Sequence, residues 1–263
     1  MAAAEVEQIL RSSPRRHGCE RTRWRLADLG QVIPWLVGKS VAGIGRLLRR
    51  LGFSRKAAQK FVHSPDPLYS CKWRAILQAY AQMVAEPQQV VVLFMDEFSY
   101  YRQPSPAPAY HRQGHTHPKA WQAPRANTQT RIVASVDAAS GQVVYLQRNQ
   151  ITLTVFASFC AQVRAAYPQA ARLYVVMDNW PLHTSPVAQA AMAQQRILPL
   201  YLPTYASWLN PIEKLWRWLR QDIIHLHPQA AELELLRTQV CQFLDQFAAG
   251  SLSLLHYVGL PVG

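Results

Sequence analysis

Three acidic residues occupy positions where a carboxylate is unfavourable unless something compensates its charge. Asp96 directly follows the apolar run VVVLFM and Asp178 directly follows YVVM, so each ends a segment typical of a buried strand. Glu213 comes just after Asn-Pro-Ile, in the first turn of a predicted helix. In mixed α/β sheets, functional side chains gather at the carboxyl ends of strands and at adjacent helix starts. We therefore expect these three carboxylates to converge.

Converging carboxylates repel one another unless cations neutralise them. Hard oxygen ligands favour Mg²⁺ or Mn²⁺. A pair of such ions about 3.5–4 Å apart can activate a water or a 3′-hydroxyl and stabilise the leaving oxygen of a phosphoryl displacement. The three carboxylates of Asp96, Asp178 and Glu213, if they converge, thus suit Mg²⁺ or Mn²⁺.

The elements that must position these acids follow the order strand, hairpin, helix, strand, helix, strand, helix. The hairpin is TRIVASVDAASGQVVYLQ, the next helix is capped by Thr152 or Thr154, and a later helix carries Pro186 in its first turn. The last helix has Asn210 as its predicted cap. Residues 102–127 are predicted to be loop with one or two strands. This order predicts an α/β fold, a mixed sheet with helices on its faces.

The chain carries a formal charge of +13, and almost all of it lies near the N-terminus. Between Arg11 and Arg74 there are 15 Lys and Arg against 3 Asp and Glu, whereas the rest of the chain has 13 against 12. A polyanion-binding module on a near-neutral body is the natural interpretation, and a solvated basic surface without a partner is the alternative.

Within this basic region, residues 41–51 form an amphipathic helix pattern with Ser40 as a predicted N-cap and Gly52 as its stop. A second predicted helix begins after Ser54. Two short helices around a glycine-containing turn are typical of a helix-turn-helix, although small three-helix bundles share the pattern. The basic residues expected to contact a polyanion are Arg46, Arg49, Arg50, Arg55, Lys56 and Lys60.

The segment HSPDP (63–67) predicts an interdomain hinge, because proline disfavours helix before it. We therefore expect an all-α domain over residues 1–67 and a larger α/β domain over residues 68–263.

No run of about 18 apolar residues and no signal-peptide pattern occurs, which argues against a membrane protein. Four separated cysteines without a CxxC pair suit a reducing cytoplasm.

Three segments resemble the DDE endonuclease domain of the IS630/Tc1/mariner transposases: MDE (95–97), VVMDNWPLHTS (175–185) and LPTYASWLNPIEKLWRWLR (202–220). Asp178 and Glu213 are separated by 34 residues, the DD34E arrangement of that superfamily. The resemblance extends to GHTHPKAW, SVDAASGQVVY and the basic N-terminal region, so it covers about residues 23–225. An NPIE motif at this distance from a DN motif is specific, whereas either motif alone is weak.

The resemblance implies an RNase H-like catalytic domain, with Asp96, Asp178 and Glu213 matching the three catalytic acids. It implies that these acids hold two Mg²⁺ ions, for which Mn²⁺ substitutes, and that Asp178 is shared between the ions. It implies a transposase that hydrolyses a phosphodiester at each element end and joins the freed 3′-hydroxyl to TA target DNA. The implied partners are double-stranded DNA, as terminal inverted repeats and target, and a second copy of the chain on that DNA. The implied setting is the nucleoid of a prokaryote. Family members usually carry two helix-turn-helix units, so a shortened or missing first unit is expected here.

Several neighbouring residues have an expected accessory role with a plain structural alternative. Asn179 and His183 match a recurring DN…H pattern and are expected to touch DNA or to orient the site, with a helix cap as the alternative for His183. Lys214 is expected to hold phosphate or to be solvated. Arg217 and Arg220 have the same two interpretations as Lys214. The tryptophans are expected to stack on bases or to anchor the fold: Trp180, Trp208, Trp216 and Trp218.

Other residues have a structural interpretation that outweighs a functional one. Glu97 is expected to pair with a basic neighbour rather than a metal, and Asp137 is explained by the hairpin turn. His111, His115 and His117 lie close together, but no cysteine joins them into a zinc site. Two rival functions stay open: an RNase H-like nuclease without strand transfer, and a decayed copy that only binds DNA.

Overall fold

The computed structural model describes residues 2–56, 63–124 and 126–261. The chain divides into two compact units, Met1–Phe61 and Val62–Gly263. Within the described ranges, no helix combines the length and the hydrophobicity needed to cross a membrane.

The first unit is helical and has its own small core. Its helices are α1 (Ala2–Arg11), α2 (Leu26–Val32) and α3 (Val41–Arg50), with a 3₁₀ turn at Pro34–Leu36. Proline stops α2 because it cannot supply the next helical N–H. The core residues of this unit are Val6, Leu29, Ile33, Leu36, Ile44 and Leu48.

Helix α3 has the amphipathic arrangement that its sequence predicts. The Ser40 hydroxyl accepts a hydrogen bond from the Gly43 N–H at 3.1 Å and so caps the helix. Ile44 and Leu48 are buried. The predicted DNA-contacting residues that the structure describes are exposed: Arg46, Arg49, Arg50, Arg55 and Lys56. Arg55 and Lys56 lie in non-helical chain, and the rest of the predicted second helix, with Lys60, falls outside the described residues.

The second unit is built on a five-stranded mixed sheet. The strands are β1 (Val90–Tyr101), β2 (Gln129–Asp137), β3 (Val143–Arg148), β4 (Arg172–Met177) and β5 (Ile197–Tyr201). Their order is β3-β2-β1-β4-β5. The first three strands, β1 to β3, pair antiparallel, whereas β4 and β5 run parallel to β1. The parallel strands need crossover helices between them.

Helices cover both faces of this sheet. They are α4 (Tyr69–Ala85), α5 (Leu153–Ala166), α6 (Pro181–Thr184), α7 (Pro186–Gln194), α8 (Ile212–Leu219), α9 (Leu233–Asp245) and α10 (Leu252–Val258). A π-helical turn, Arg220–Ile224, continues α8. Successive residues of β1 point to opposite faces, since Val92 and Phe94 join one core while Leu93 and Met95 join the other.

Two sequence predictions in this unit are wrong. Residues 102–127 form no strand in their described part. They contact a distant segment through an isolated bridge between Ser105 and His225 and through the bond from Arg102 Nε to the Ala230 carbonyl. Asn210 does not cap α8, because its side-chain amide instead donates to the Met95 carbonyl at 2.9 Å. The Thr152 cap on α5 and the position of Pro186 in the first turn of α7 are as predicted.

The hairpin turn between β2 and β3 is closed by the C-terminal segment of the chain. Gly141 has a φ of +69°, and a Cβ placed on it would overlap the Ser251 carbonyl oxygen. Ser251 N–H also donates to the Ser140 carbonyl at 2.8 Å. The close approach and the left-handed backbone both require glycine at this position.

We expect Gly141→Ala to lower the free energy of unfolding by about 2–4 kcal/mol, the sum of left-handed strain and steric overlap. Urea denaturation followed by circular dichroism measures the change. The matched control is Gly114→Ala, where φ is also positive but a Cβ would meet open space, and about 1 kcal/mol is expected. Equal losses in the two variants would contradict the packing argument.

Candidate functional site

The sheet register places Asp96 and Asp178 side by side. Strands β1 and β4 are parallel neighbours in which Phe94 pairs with Val176. Two residues further along each strand come Asp96, still within β1, and Asp178, the first residue after β4. The two carboxylates therefore emerge at the same level from the carboxyl edge of the parallel pair.

Glu213 is brought to this edge because the start of α8 is hydrogen-bonded to β1 on both sides of it. The Asn210 amide donates to the Met95 carbonyl at 2.9 Å, and the Trp216 indole N–H donates to Asp96 Oδ2 at 3.0 Å. Trp216 is held in turn by stacking on Phe98, with ring centroids 5.1 Å apart. Glu213 lies between these two anchors, half-buried in the first turn of the helix.

The three carboxylates affect one another electrostatically. Burial and then the nearby charges of Glu213 and Glu97 raise the pKa of Asp96 to about 8. Burial also raises the pKa of Glu213; the Asp178 charge adds to this, while Arg220 and Arg217 oppose it. Crowded negative charge with too little positive charge around it is the environment that a divalent cation relieves.

Asp178 differs from its two neighbours because His183 compensates its charge. His183 lies in α6, is fully buried, and packs against the rings of Phe156 and Trp180 at centroid distances of 5.2 and 5.4 Å. Its Nδ1 lies 2.9 Å from Asp178 Oδ1 and its Nε2 lies 2.8 Å from Glu97 Oε1. The imidazole therefore bridges two carboxylates.

This bridge fixes both the charge and the orientation of Asp178. Burial lowers the pKa of His183, but the hydrogen bonds with Asp178 and Glu97 outweigh it and raise the pKa to about 9. Burial raises the pKa of Asp178, but the hydrogen bonds from His183 and from the Trp180 backbone outweigh it and lower the pKa. Both bonds to Asp178 end on Oδ1, so Oδ2 has no hydrogen-bond partner within the described residues.

Glu97, Asp178 and His183 also form the one group of described residues whose ligand atoms all lie within 4.8 Å of one another. Both nitrogens of His183 face carboxylate oxygens and act as donors, which leaves no lone pair for a metal. The group is therefore a positioning set, and Glu97 pairs with a basic neighbour as the sequence predicts.

The predicted triad of Asp96, Asp178 and Glu213 is spaced more widely than this group. A site with two ions about 3.5–4 Å apart has one shared carboxylate between the ions and one carboxylate at each end. The end carboxylates of such a site do not share an ion, so they need not lie within 4.8 Å. The oxygen-rich, negatively charged edge fits hard divalent cations, and the assignment of these three residues as ligands stays a prediction.

Asn179 lies in a hydrogen-bond network that ties the loop after β4 to α4. Its Nδ2 donates to the Leu202 carbonyl at 2.6 Å, and its Oδ1 accepts from Lys72 Nζ at 3.1 Å. Lys72 also forms an ion pair with Asp66 at 2.9 Å. This bond from Lys72, together with bonds from the Thr204 and Leu68 backbone, lowers the pKa of Asp66. Asn179 thus holds the backbone beside Asp178. Sequence reasoning missed Lys72 and Asp66, because nothing local indicates that they reach this loop.

The basic side chains of α8 and of the turn that continues it, Lys214, Arg217 and Arg220, have different surroundings. Lys214 Nζ lies against Gly259, where a Cβ would be only 2.6 Å away, at the C-terminal end of α10. That position suits a cation, since helix C-termini carry partial negative charge. Arg217 and Arg220 are exposed, and the Arg220 guanidinium lies over the Phe98 ring at 4.8 Å. The two arginines, rather than Lys214, supply positive charge near Glu213.

The remaining candidates have structural explanations. Asp137 Oδ1 accepts hydrogen bonds from the backbone of Ala139 and Ser140, as expected of a turn residue. Ser185, not His183, caps α7. Among the described residues, His111, His115 and His117 do not form a group with metal-ligand spacing. Of the tryptophans on α8, Trp216 is buried, whereas Trp218 is partly exposed within a cluster formed by Phe243, Phe247 and Tyr257.

Replacing His183 tests the bridge. His183→Leu leaves Glu97 and Asp178 facing each other without a shared cation, and we expect the free energy of unfolding to fall by about 3–5 kcal/mol. Combining it with Glu97→Gln is expected to cost at least about 1 kcal/mol less than the sum of the single changes. Urea denaturation of the four proteins measures this coupling.

The matched control is His256→Leu, at an exposed position of α10, where a change within about 0.5 kcal/mol is expected. Additive losses for His183 and Glu97 would show that the two side chains do not act together.

Comparison with known proteins agrees with the fold and identifies the family. The chain is 24% identical over 243 residues to a protein of Shigella sonnei named insertion element IS630 uncharacterized 39 kDa protein, covering 91% of this chain and 69% of that one. It also resembles the solved Mos1 transposase paired-end complex with left transposon end, with a TM-score of 0.63 and 13% identity over 98% of this chain and 74% of that one.

The Mos1 mariner paired-end complex with Mn gives a TM-score of 0.64 at 14% identity, over 98% of this chain and 74% of that one. These likenesses confirm the RNase H-like fold expected from the sequence. A family profile described as DDE superfamily endonuclease matches residues 91–237. Because this match spans more than half of the chain, the protein belongs to the DDE superfamily of endonucleases.

Proposed function

We propose that this protein is the DNA transposase of an IS630-type insertion element. It cleaves a phosphodiester at each element end and transfers the freed 3′-hydroxyl into TA target DNA. The observation that carries the proposal is the parallel register of β1 and β4, which sets Asp96 and Asp178 level, with Glu213 tied to the same edge by Asn210. The family match and the likeness to an insertion-element protein support it.

We assign Asp96, Asp178 and Glu213 as the residues that hold two divalent cations, Mg²⁺ or Mn²⁺. When bound, such ions activate the attacking oxygen and neutralise charge on the leaving oxygen. In this assignment Asp178 is the central carboxylate. His183 and the Trp180 backbone occupy its Oδ1, and no described residue bonds its Oδ2. The Trp216 indole orients the Asp96 carboxylate. Exposed Arg217 and Arg220 offer charge to the DNA phosphates beside Glu213.

The first unit is the proposed DNA-binding module. The segment 63–67, predicted as a hinge, belongs to the second unit, where Ser64 and Asp66 bond to Thr204. Exposed arginines on α3, with Ile44 and Leu48 buried behind them, form a basic face suited to phosphate and groove contacts. In our proposal this module recognises the terminal inverted repeats, and two copies of the chain bring the two ends together.

Neutral isosteres of the three acids test the assignment. We expect Asp96→Asn, Asp178→Asn and Glu213→Gln each to reduce cleavage of element-end DNA at least about 10³-fold while duplex affinity is retained. For the unaltered chain, we expect cleaved ends incubated with a plasmid and Mg²⁺ to yield joined products. Gel analysis of end-labelled DNA measures both steps.

The matched control is Asp222→Asn, an exposed acid in the turn that continues α8, which should cleave normally. Cleavage without joined products would instead assign a nuclease that lacks strand transfer. DNA binding without cleavage under any divalent metal would assign a DNA-binding protein.

The number of ions has a readout that is independent of activity. We expect electron paramagnetic resonance titration to detect two bound Mn²⁺ per chain, and at most one in Asp178→Asn, because Asp178 is the shared ligand. Asp96→Asn and Glu213→Gln should each keep one ion. A single ion in the unaltered chain, or binding that the three substitutions leave unchanged, would refute the two-ion assignment.

A further inference from the structure

The segment between β5 and α8 carries two exposed aromatic side chains. Tyr205 is 74% exposed and Trp208 is 49% exposed. Within the described residues, neither the Tyr205 hydroxyl nor the Trp208 indole N–H has a hydrogen-bond partner, and neither ring stacks on another. Large apolar rings left in solvent lose the stabilisation that burial gives elsewhere, so the fold itself does not account for them.

The backbone that carries these rings is fixed at both ends. At the start, Thr204 N–H donates to Asp66 Oδ2 at 2.9 Å, and the Ser64 hydroxyl donates to the Thr204 carbonyl at 2.6 Å. At the end, Asn210 donates to the Met95 carbonyl. A 3₁₀ turn, Ser207–Leu209, lies between the two ends. The rings are therefore presented on a constrained loop.

Tyr205 is held in a conformation that its side chain disfavours. Its φ is +57°, in the left-handed region where a Cβ crowds the carbonyl oxygen and where glycine is the usual residue. Residues kept in such strained conformations concentrate at ligand-binding sites. A tyrosine that is both strained and exposed gains little within the folded chain, so its ring points to an external partner.

The loop lies beside the three acids. It leaves β5, the strand next to β4, and the Leu202 carbonyl at its start accepts from Asn179, the residue after Asp178. Its last residues lead directly into Glu213. Arg217 and Arg220 act electrostatically on Glu213, so cations suited to phosphate lie close to the loop.

We propose that Tyr205 and Trp208 form a stacking platform for unpaired nucleobases next to the phosphodiester at the three acids. The inference rests on the proposed function. Bases inside a duplex already cover each other's faces, so an exposed ring gains contact only with a base that has left the stack. Stacking does not depend on base identity, so the platform takes single-stranded tails of any sequence. The nearby arginines match the phosphates that such a tail carries.

The test uses the full-length chain in EDTA, so that the DNA stays uncut. The probe is a 20-base-pair hairpin of element-end sequence with a five-nucleotide single-stranded 3′ tail that contains 2-aminopurine. Stacking quenches 2-aminopurine fluorescence. A blunt hairpin without the tail measures duplex affinity alone. We expect the unaltered chain to quench the tail and to bind the tailed DNA about tenfold more tightly than the blunt DNA.

The decisive variant is Tyr205→Gly, since glycine removes the ring and relieves the strained backbone. We expect it to lose the tail-dependent tenfold affinity and the quenching while its Tm is unchanged or higher. Trp208→Ala should lose the same increment, and Tyr205→Phe and Trp208→Phe should retain it. The matched control is Trp121→Ala, an exposed tryptophan in the 102–127 loop, which should behave like the unaltered chain.

Three results would overturn the platform. They are tail binding that Tyr205→Gly and Trp208→Ala leave unchanged, an equal loss for blunt and tailed DNA, and a fall in Tm for Tyr205→Gly. Sedimentation analysis adds a fourth, because conversion of a dimer to a monomer in these variants would make the rings a protein interface. Cleavage of the blunt hairpin in Mg²⁺ is measured separately, so the proposed function stands or fails independently of the platform.

Discussion

The structure of the site depends on one electrostatic constraint, the crowding of carboxylates at the carboxyl edge of two parallel strands. Neighbouring strands lie about 4.8 Å apart, so side chains at the same level of β1 and β4 are forced together. Asp96 and Asp178 occupy that level, and Glu97 and Glu213 lie beside them. Negative charge at this density is stable only where other groups compensate it.

The acids differ in how well their charges are compensated, and their pKa values differ accordingly. His183 is buried between Glu97 and Asp178 and holds Asp178 as an oriented carboxylate. Among the described residues Asp96 has no cationic partner; it accepts from neutral donors such as the Trp216 indole, and its pKa is raised to about 8. The protein thus supplies its own counter-ion to one side of the edge. On the other side, the charge of Glu213 acts on Asp96 with too little compensation, which is the environment that a divalent cation would relieve.

Much of this arrangement could be predicted from the sequence, because the strongest signals are local. Continuous apolar runs that end in Asp96 and Asp178 indicate buried strands, and alternating β-rich segments around DAASG indicate a hairpin. The structure contains both the strands and the hairpin. The family match confirms the DDE endonuclease family that the MDE, DN and NPIE motifs indicate. The spacing of Asp178 and Glu213 is visible in the sequence, and in the folded chain the charge of Asp178 acts on Glu213.

The parts that could not be predicted are set by long-range contacts. Asn210 has the residue type of a helix cap, yet its amide bonds the Met95 carbonyl, which lies 115 residues away in sequence. Asp66 and Lys72 carry no local motif, but they hold the loop of Asn179 through the ion pair between them. In both cases, a side chain that could form hydrogen bonds with residues near it in sequence instead bonds to a distant residue and fixes a loop beside the acids.

These long-range bonds explain how strained and exposed groups persist near the site. A left-handed Tyr205 is unfavourable, and a flexible loop would let it relax. The loop cannot relax because Asp66 holds it at Thr204 and β1 holds it at Asn210. The rigidity that brings Glu213 to the edge is therefore the same rigidity that keeps the aromatic rings in solvent. A single set of hydrogen bonds positions the acids and presents a surface to the DNA that they are proposed to cut.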